Sequence, residues 1–140
     1  MDVKYMRRAL ELSKKGIGHA SPNPLVGAVI VKDERIIGEG YHEVYGGNHA
    51  EINAFRNATE DVKDATMYVS LEPCSHFGKT PPCANAIVEK GIKRVAIALQ
   101  DPNPEVSGRG IEVLRDNGIE VITGILEGES RKLNEYLSNI

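Results

Sequence analysis

A chain of 140 residues, 41% hydrophobic and 26% charged, is long enough for one ordinary domain with a buried core. No apolar run reaches the roughly 20 residues of a membrane span, and the opening MDVKYMRRALELSKKG is too charged for a secretory signal, so a cytoplasmic protein with no membrane partner is expected. A formal net charge of −3 lacks the basic surplus that neutralises phosphates, which argues against nucleic acid as a partner.

Residues 2–15 place Val3, Met6, Ala9 and Leu10 at three- and four-residue spacing, which predicts an amphipathic helix ended by Gly16 and Gly18. SPNP at 21–24 reads as a loop. LVGAVIV at 25–31, the turn KDE and then RIIGEGYH predict a β-hairpin. After YGGN, the segment HAEINAFRNA turns Ala50, Ala54 and Phe55 to one side and reads as a helix, and TMYVSL at 66–71 as a buried strand. ANAIVEKG is a helix with Pro82 suited to its first turn, where no amide donor is needed. RVAIAL at 94–99, IEVLRDNG, IEVIT at 119–123 and EGESRKLNEYLSNI continue as strand, helix, strand and helix. A hairpin followed by strand–helix alternation predicts a three-layer α/β/α sandwich on a mixed sheet of about five strands. No linker or repeat divides the chain, so one domain is expected over 1–140. The loop QDPNPEVSGRG at 100–110 follows a strand end, where α/β folds tend to place their sites.

Both cysteines of the chain lie in LEPCSHFGKTPPCAN at 71–85. In a cytosolic chain two such thiols are metal ligands, catalytic groups or inert core residues rather than a disulfide. With His49 they supply three donors for Zn²⁺, one short of the four that a structural site usually takes, and His76 is the one nearby candidate for a fourth. H-x-E followed by P-C-x-x-C is the zinc deaminase pattern, with the glutamate carrying protons and not binding metal. HAE at 49–51 and PC at 73–74 fit it, but eight residues separate Cys74 from Cys83 where the pattern has two. An HAE triplet alone arises by chance in helices, and two cysteines alone are often buried apolar residues. Their joint placement, EPC closing a strand and PPC opening a helix, points to a catalytic zinc site with Glu51 as proton carrier. Two thiolates cancel the charge of Zn²⁺ and leave a weaker Lewis acid, so a nearby carboxylate is needed to activate water. A helix start at Cys83 is expected to favour its thiolate.

The strings PNPLVGAVIV, GEGYH, HAEINA, LEPCSHFGKTPPC and DPNPEVSGRG resemble, in order and over essentially the whole chain, the deaminase half of the bacterial bifunctional riboflavin biosynthesis deaminase/reductase. The long EPCSHFGKTPPC carries most of this resemblance, and Ile52 stands where the family usually has Val. The resemblance implies a cytidine deaminase-like fold and hydrolytic deamination of 2,5-diamino-6-(5-phosphoribosylamino)pyrimidin-4(3H)-one to 5-amino-6-(5-phosphoribosylamino)uracil. It implies that His49, Cys74 and Cys83 bind one Zn²⁺, and that Glu51 passes a proton to a ring nitrogen and to the leaving amine. Lys79 is then expected at the substrate phosphate with Thr80 beside it, and Asn23 and His42 at the pyrimidine. His76 is expected to stack on or hydrogen-bond the substrate, and Asp101 and Asn103 to face its ribose or phosphate. Each has an ordinary alternative: a solvated loop lysine, a satisfied strand-end histidine, Asx-Pro turns.

The resemblance also implies a homo-oligomer. The family's NADPH-dependent reductase domain would begin about where this chain ends, and no G-x-G-x-x-G fingerprint opens a helix, so no NADPH site is expected; a deaminase-only protein and a shortened one remain alternatives. Rival readings are a deaminase of another base, such as cytidine or tRNA adenosine, and a structural zinc module.

Overall fold

The computed structural model describes residues 2–18, 24–44, 47–76 and 81–138, with side chains through 135. Helix α1 (Asp2–Ser13) runs into a 3₁₀ turn at Lys14–Gly16 and is followed by the hairpin β1 (Gly27–Lys32) and β2 (Arg35–Tyr41). Helix α2 (Ala50–Arg56), β3 (Thr66–Leu71), α3 (Cys83–Glu89), β4 (Arg94–Leu99), α4 (Arg109–Asp116), β5 (Glu120–Thr123) and α5 (Glu127–Ser138) complete the chain. The sheet order is β2-β1-β3-β4-β5, with β1 antiparallel to both neighbours and β3, β4 and β5 parallel. The hairpin turns on Asp33 and Glu34, both at positive φ (51° and 61°), the conformation that lets a two-residue turn follow the strand twist.

Strand alternation sorts the core into two layers. Ala28, Ile30, Met67, Val69, Val95 and Ile97 meet Ala50, Ala54, Ile87, Ile111 and Leu114 of α2, α3 and α4. On the opposite face Val29, Val31, Tyr68, Ala96 and Ala98 pack against Tyr5, Met6, Ala9 and Leu12 of α1, with Ile125 and Leu126 at its margin. This is the expected three-layer sandwich with a mixed five-stranded sheet. None of the helices among the described residues is long and apolar enough to cross a membrane.

Boundaries differ from the sequence reading by small, explicable amounts. Helix α1 stops at Ser13, whose hydroxyl donates to Leu10 O at 2.6 Å and leaves the last turn as 3₁₀. Pro82 is not in the first turn of α3 but is its N-cap, with extended ψ of 151°, and Cys83 opens the helix. Helix α4 begins at Arg109, two residues earlier than IEVLRDNG suggests, after Gly108 at φ +84°.

Three glycines set how closely the helices lie on the sheet. A Cβ on Gly27 would come 1.9 Å from Ala9 O of α1, and one on Gly110 would come 2.0 Å from Pro73 O. A Cβ on Gly40 would come 2.4 Å from Ala54 N. Contacts of this kind admit no side chain, so α1, the start of α4 and α2 all pack on bare backbone.

Candidate metal centre

The carboxyl ends of the parallel strands gather the chemistry. His49 is the N-cap of α2, with extended φ and ψ of −69° and 164°, so its ring leaves the helix axis while Glu51 lies inside the first turn. This resolves how two residues at i and i+2 can serve one site. Asn53 of α2 donates through Nδ2 to Tyr41 O at 2.9 Å and Asn48 O at 3.3 Å, holding the segment that enters His49 against the end of β2. Cys74 follows β3 and Cys83 begins α3. The Cys83 N–H donates to Cys74 Sγ at 3.2 Å, and Ala84 N–H donates to Cys74 O at 3.1 Å. Cys74 therefore caps α3 and accepts donors that the helix leaves without intrahelical partners.

His49 Nδ1 lies 3.2 Å from Cys83 Sγ and 3.8 Å from Cys74 Sγ, and the three donor atoms all fall within 4.8 Å of one another. A tetrahedral zinc with bonds of about 2.0 Å to nitrogen and about 2.3 Å to sulfur needs donors roughly 3.5–4 Å apart. The observed triangle fits one zinc with small adjustments. Both cysteines are free of disulfide bonding. Among the described residues this is the one cluster of three His, Cys, Asp or Glu donors that could hold a metal.

The electrostatics suit a cation. The Cys74 thiol is pulled down to about 4 by the hydrogen bond from Cys83, with further help from His49 and the Cys83 N–H, against the cost of burial. Cys83 is pushed up, first because its proton serves Cys74 and then by burial and by Glu51. The sequence reading expected the α3 dipole to favour the Cys83 thiolate. The structure gives the Cys83 N–H to the other sulfur, and Cys74 is the thiol drawn down. His49 is raised, first by its hydrogen bond to Cys74 and then by Glu51. Glu51 is 3% exposed and its carboxyl is pushed up to about 7, chiefly by burial. Its own main-chain N–H and then His49 pull in the other direction. A carboxyl poised near neutrality can both take and return a proton.

The other expected site residues fall into three groups. His42 is buried, and its ring packs edge-on against His49 with centroids 5.5 Å apart. Burial and then the His49 charge lower its pKa. His76, Asp101 and Asn103 line, with Cys74, Ser75 and Glu72, a cavity of about 220 Å³ beside the donor triangle. Asn23, Lys79 and Thr80 lie outside the described residues. A larger cavity of about 670 Å³ between 99–102 and α5 shares Asp101 with the first but is lined by none of His49, Glu51, Cys74 and Cys83. The smaller cavity is therefore the one next to the chemistry.

Sequence reasoning missed Glu72. Its carboxylate is 6% exposed and accepts four backbone N–H groups, from Asp101, Gly108, Gly110 and Ile111. The signal was present as a charged residue in a buried strand end, immediately before Pro73 and Cys74. Also missed was a buried relay: Ser130 Oγ donates to Ser70 O at 2.9 Å, and Gly27 N–H donates to Ser70 Oγ at 3.0 Å. Asn134 Oδ1 accepts Leu25 N–H at 3.1 Å, so α5 holds the chain as it enters β1.

Comparison with known proteins agrees with this geometry. The chain is 56% identical over 134 residues to a diaminohydroxyphosphoribosylamino-pyrimidine deaminase of Buchnera aphidicola subsp. Schizaphis graminum, covering 96% of this chain and 91% of that protein. It is 56% identical over 135 residues to the riboflavin biosynthesis protein RibD of Aquifex aeolicus, of which it spans 38%. The chain thus spans little more than a third of that longer relative. A solved diaminohydroxyphosphoribosylaminopyrimidine deaminase/5-amino-6-(5-phosphoribosylamino)uracil reductase from Thermotoga maritima superposes with a TM-score of 0.92 at 55% identity, covering 99% of this chain and 40% of that one. The Aspergillus oryzae Rib2 deaminase shares the fold alone, with a TM-score of 0.72 at 24% identity. The family model for the cytidine and deoxycytidylate deaminase zinc-binding region matches residues 1–99, a span that holds His49, Glu51, Cys74 and Cys83. With its donor triangle, its buried carboxyl and this match in agreement, the chain belongs to the cytidine and deoxycytidylate deaminase zinc-binding family.

Proposed function

We propose that the chain hydrolytically deaminates 2,5-diamino-6-(5-phosphoribosylamino)pyrimidin-4(3H)-one, releasing ammonia and 5-amino-6-(5-phosphoribosylamino)uracil. The observation that carries the chemistry is the buried carboxyl of Glu51 beside the His49, Cys74 and Cys83 triangle. The substrate class is supported by the name of the B. aphidicola relative that the chain matches over 91% of its length.

His49 Nδ1 and the two sulfurs would hold one zinc, which when bound acidifies a water and makes it nucleophilic near neutral pH. Glu51 accepts a proton from that water and delivers it to the ring nitrogen next to the amino-bearing carbon. Once the water oxygen is bonded to this carbon, Glu51 takes the remaining hydroxyl proton and gives it to the amine, so that the C–N bond breaks as the carbonyl forms and ammonia leaves. The protein's share is to keep Glu51 dry and aimed, because a carboxyl at about 7 transfers protons in both directions at little cost. His42, edge-on to His49, bounds the site on the α2 side, and His76, Asp101 and Asn103 meet the sugar side from the small cavity. Asn23, Lys79 and Thr80 are assigned to the pyrimidine and phosphate on the sequence resemblance alone.

In this reading residues 1–140 form one deaminase domain that works in the cytoplasm on a small phosphorylated pyrimidine, as a homo-oligomer. The deciding experiment measures ammonia release from the phosphoribosyl diaminopyrimidine, from cytidine and from deoxycytidylate. Turnover of the first alone is expected, and turnover of either nucleoside or nucleotide alone would sink the substrate assignment. Glu51→Gln should retain one zinc per chain and lose about 10²–10⁴-fold in kcat. Full turnover by that variant would remove Glu51 from the mechanism.

A further inference from the structure

We propose that Glu72 is a positioning residue for substrate binding: it ties the 100–110 loop to the metal-ligand segment and so sets the width of the small cavity. This rests on the deaminase reading for what the cavity holds, but the tie itself is visible in the bonding. One wall of the cavity is Glu72, Pro73, Cys74, Ser75 and His76; the facing wall is Asp101, Asn103 and Val106. Glu72 reaches across from the first to the second. Its Oε1 accepts N–H groups from Asp101 at 3.1 Å and Gly108 at 3.0 Å. Its Oε2 accepts from Gly110 at 2.9 Å and Ile111 at 3.3 Å, at the first turn of α4.

Among the described residues no lysine or arginine pairs with Glu72, so four amides and the positive end of α4 do the work of a cation. Burying a carboxylate is costly unless every lone pair is met, and here four donors converge on it.

The tie is extended on both sides. Asp101 Oδ1 accepts Asn103 N–H at 2.9 Å, and Asn103 Oδ1 accepts Glu105 N–H at 3.0 Å, so the loop is fixed relative to its Asp101 anchor. Toward the metal, the bare Cα of Gly110 lets Pro73 O approach, and Pro73 leads directly to Cys74. Movement of the loop is thereby coupled to two residues of main chain before a zinc ligand. A side chain that only capped α4 would need the Gly108, Gly110 and Ile111 bonds but not the one to Asp101.

Glu72→Gln tests this, because an amide can offer only one oxygen. Its NH₂ must face either the Asp101 and Gly108 pair or the Gly110 and Ile111 pair, donor against donor. The expected result is a rise in KM for the phosphoribosyl diaminopyrimidine of roughly tenfold or more, with kcat within about threefold. Zinc per chain, by elemental analysis, stays at one. Amide hydrogen exchange should quicken at Asp101, Gly108, Gly110 and Ile111 while the β3 and β4 ladder amides keep their protection. Unchanged KM overturns the proposal, as does a fall in kcat alone or a general loss of protection that leaves KM where it was.

Should Glu72→Gln fail to fold, Gly108→Ala serves in its place. Gly108 sits at φ +84° with open space around its Cβ, so alanine strains the loop without a clash. A rise in KM of about threefold or more is expected, and loosened loop amides with an unchanged KM overturn the proposal. Failure of the wild-type chain to turn over this substrate would defeat the functional reading instead, and the exchange pattern would still report on the tie.

Discussion

Gly40 of β2 lies directly beneath Ala50 of α2: a Cβ added to the glycine would come 2.5 Å from the Ala50 carbonyl oxygen and 2.4 Å from Ala54 N. Gly38 meets the same helix two residues earlier, with Ala54 O 2.6 Å from its Cβ position. The helix that begins at His49 and contains Glu51 therefore rests on two glycines of β2. Both obstructing groups are backbone and have no rotamer to escape into. Gly40→Ala should shift α2 and destabilise the fold by about 1–3 kcal/mol. Because His49 rides on α2 while Cys74 and Cys83 do not, the donor triangle should open and zinc affinity fall with it. Thermal unfolding together with competition against a chromogenic chelator checks both effects, and unchanged zinc affinity would show that α2 can be lifted without moving His49.

Zinc itself should contribute to stability, because its three ligands come from three segments that meet only in the folded chain. Metal held at about a thousandfold its Kd stabilises by roughly 4 kcal/mol. Chelation should lower Tm, and added zinc should restore it. His49→Ala or Cys83→Ala should have a lower Tm than the wild type with zinc and show no further response to chelator. A chelator effect that persists in both variants would place the metal elsewhere.

The sequence made the sandwich legible because its strands are β-branched runs bounded by turns and its helices amphipathic, whereas the assignment of Ala28 and Val95 to one face and Val29 and Ala96 to the other came from the structure. The zinc donors were legible for a different reason: few other roles need one histidine and two cysteines bracketed by EPC and PPC. Glu72 was not legible, since its partners are main-chain amides 29–39 residues away, and an amide carries no residue identity. The proton order of the two thiols was hidden for a similar reason. It depends first on the hydrogen bond between the two thiols and then on His49 and the Cys83 N–H, details of the turn and not of the residue type.

The buried serines should differ in cost. Ser70 Oγ accepts the Gly27 N–H, and Ser70→Ala leaves that buried donor without a partner, at about 1–3 kcal/mol. Ser130→Ala removes only a donor to Ser70 O, a carbonyl better able to tolerate the loss. Chemical denaturation should rank Ser70→Ala as the more harmful. The reverse order would mean that α5 docking, and not the Gly27 amide, dominates this contact.

Asp2 and Arg94 give the fold a pH dependence at its acid limit. Arg94 donates from Nη2 to Asp2 Oδ2 at 2.8 Å and from Nη1 to Oδ1 at 3.1 Å, and Tyr68 donates its hydroxyl to Oδ1 at 2.6 Å. The Arg94 hydrogen bonds first, and then that of Tyr68, hold the Asp2 carboxyl below its ordinary 3.8. The folded state thus favours the ionised form more than the unfolded state does. The resulting stabilisation is fully present above the ordinary carboxyl range. It is lost as pH falls through 3.8 and then through the lower folded value. Asp2 is 36% exposed, so solvent screening limits the effect to about 1 kcal/mol despite the bidentate geometry. Wild type and Asp2→Asn, unfolded in denaturant at low salt between pH 7 and pH 2, should differ by that amount at neutrality and converge at the acid end. A difference that stays constant across the range would mean that it comes from the shape and hydrogen bonding of the side chain at every pH, and that charge contributes nothing to docking α1.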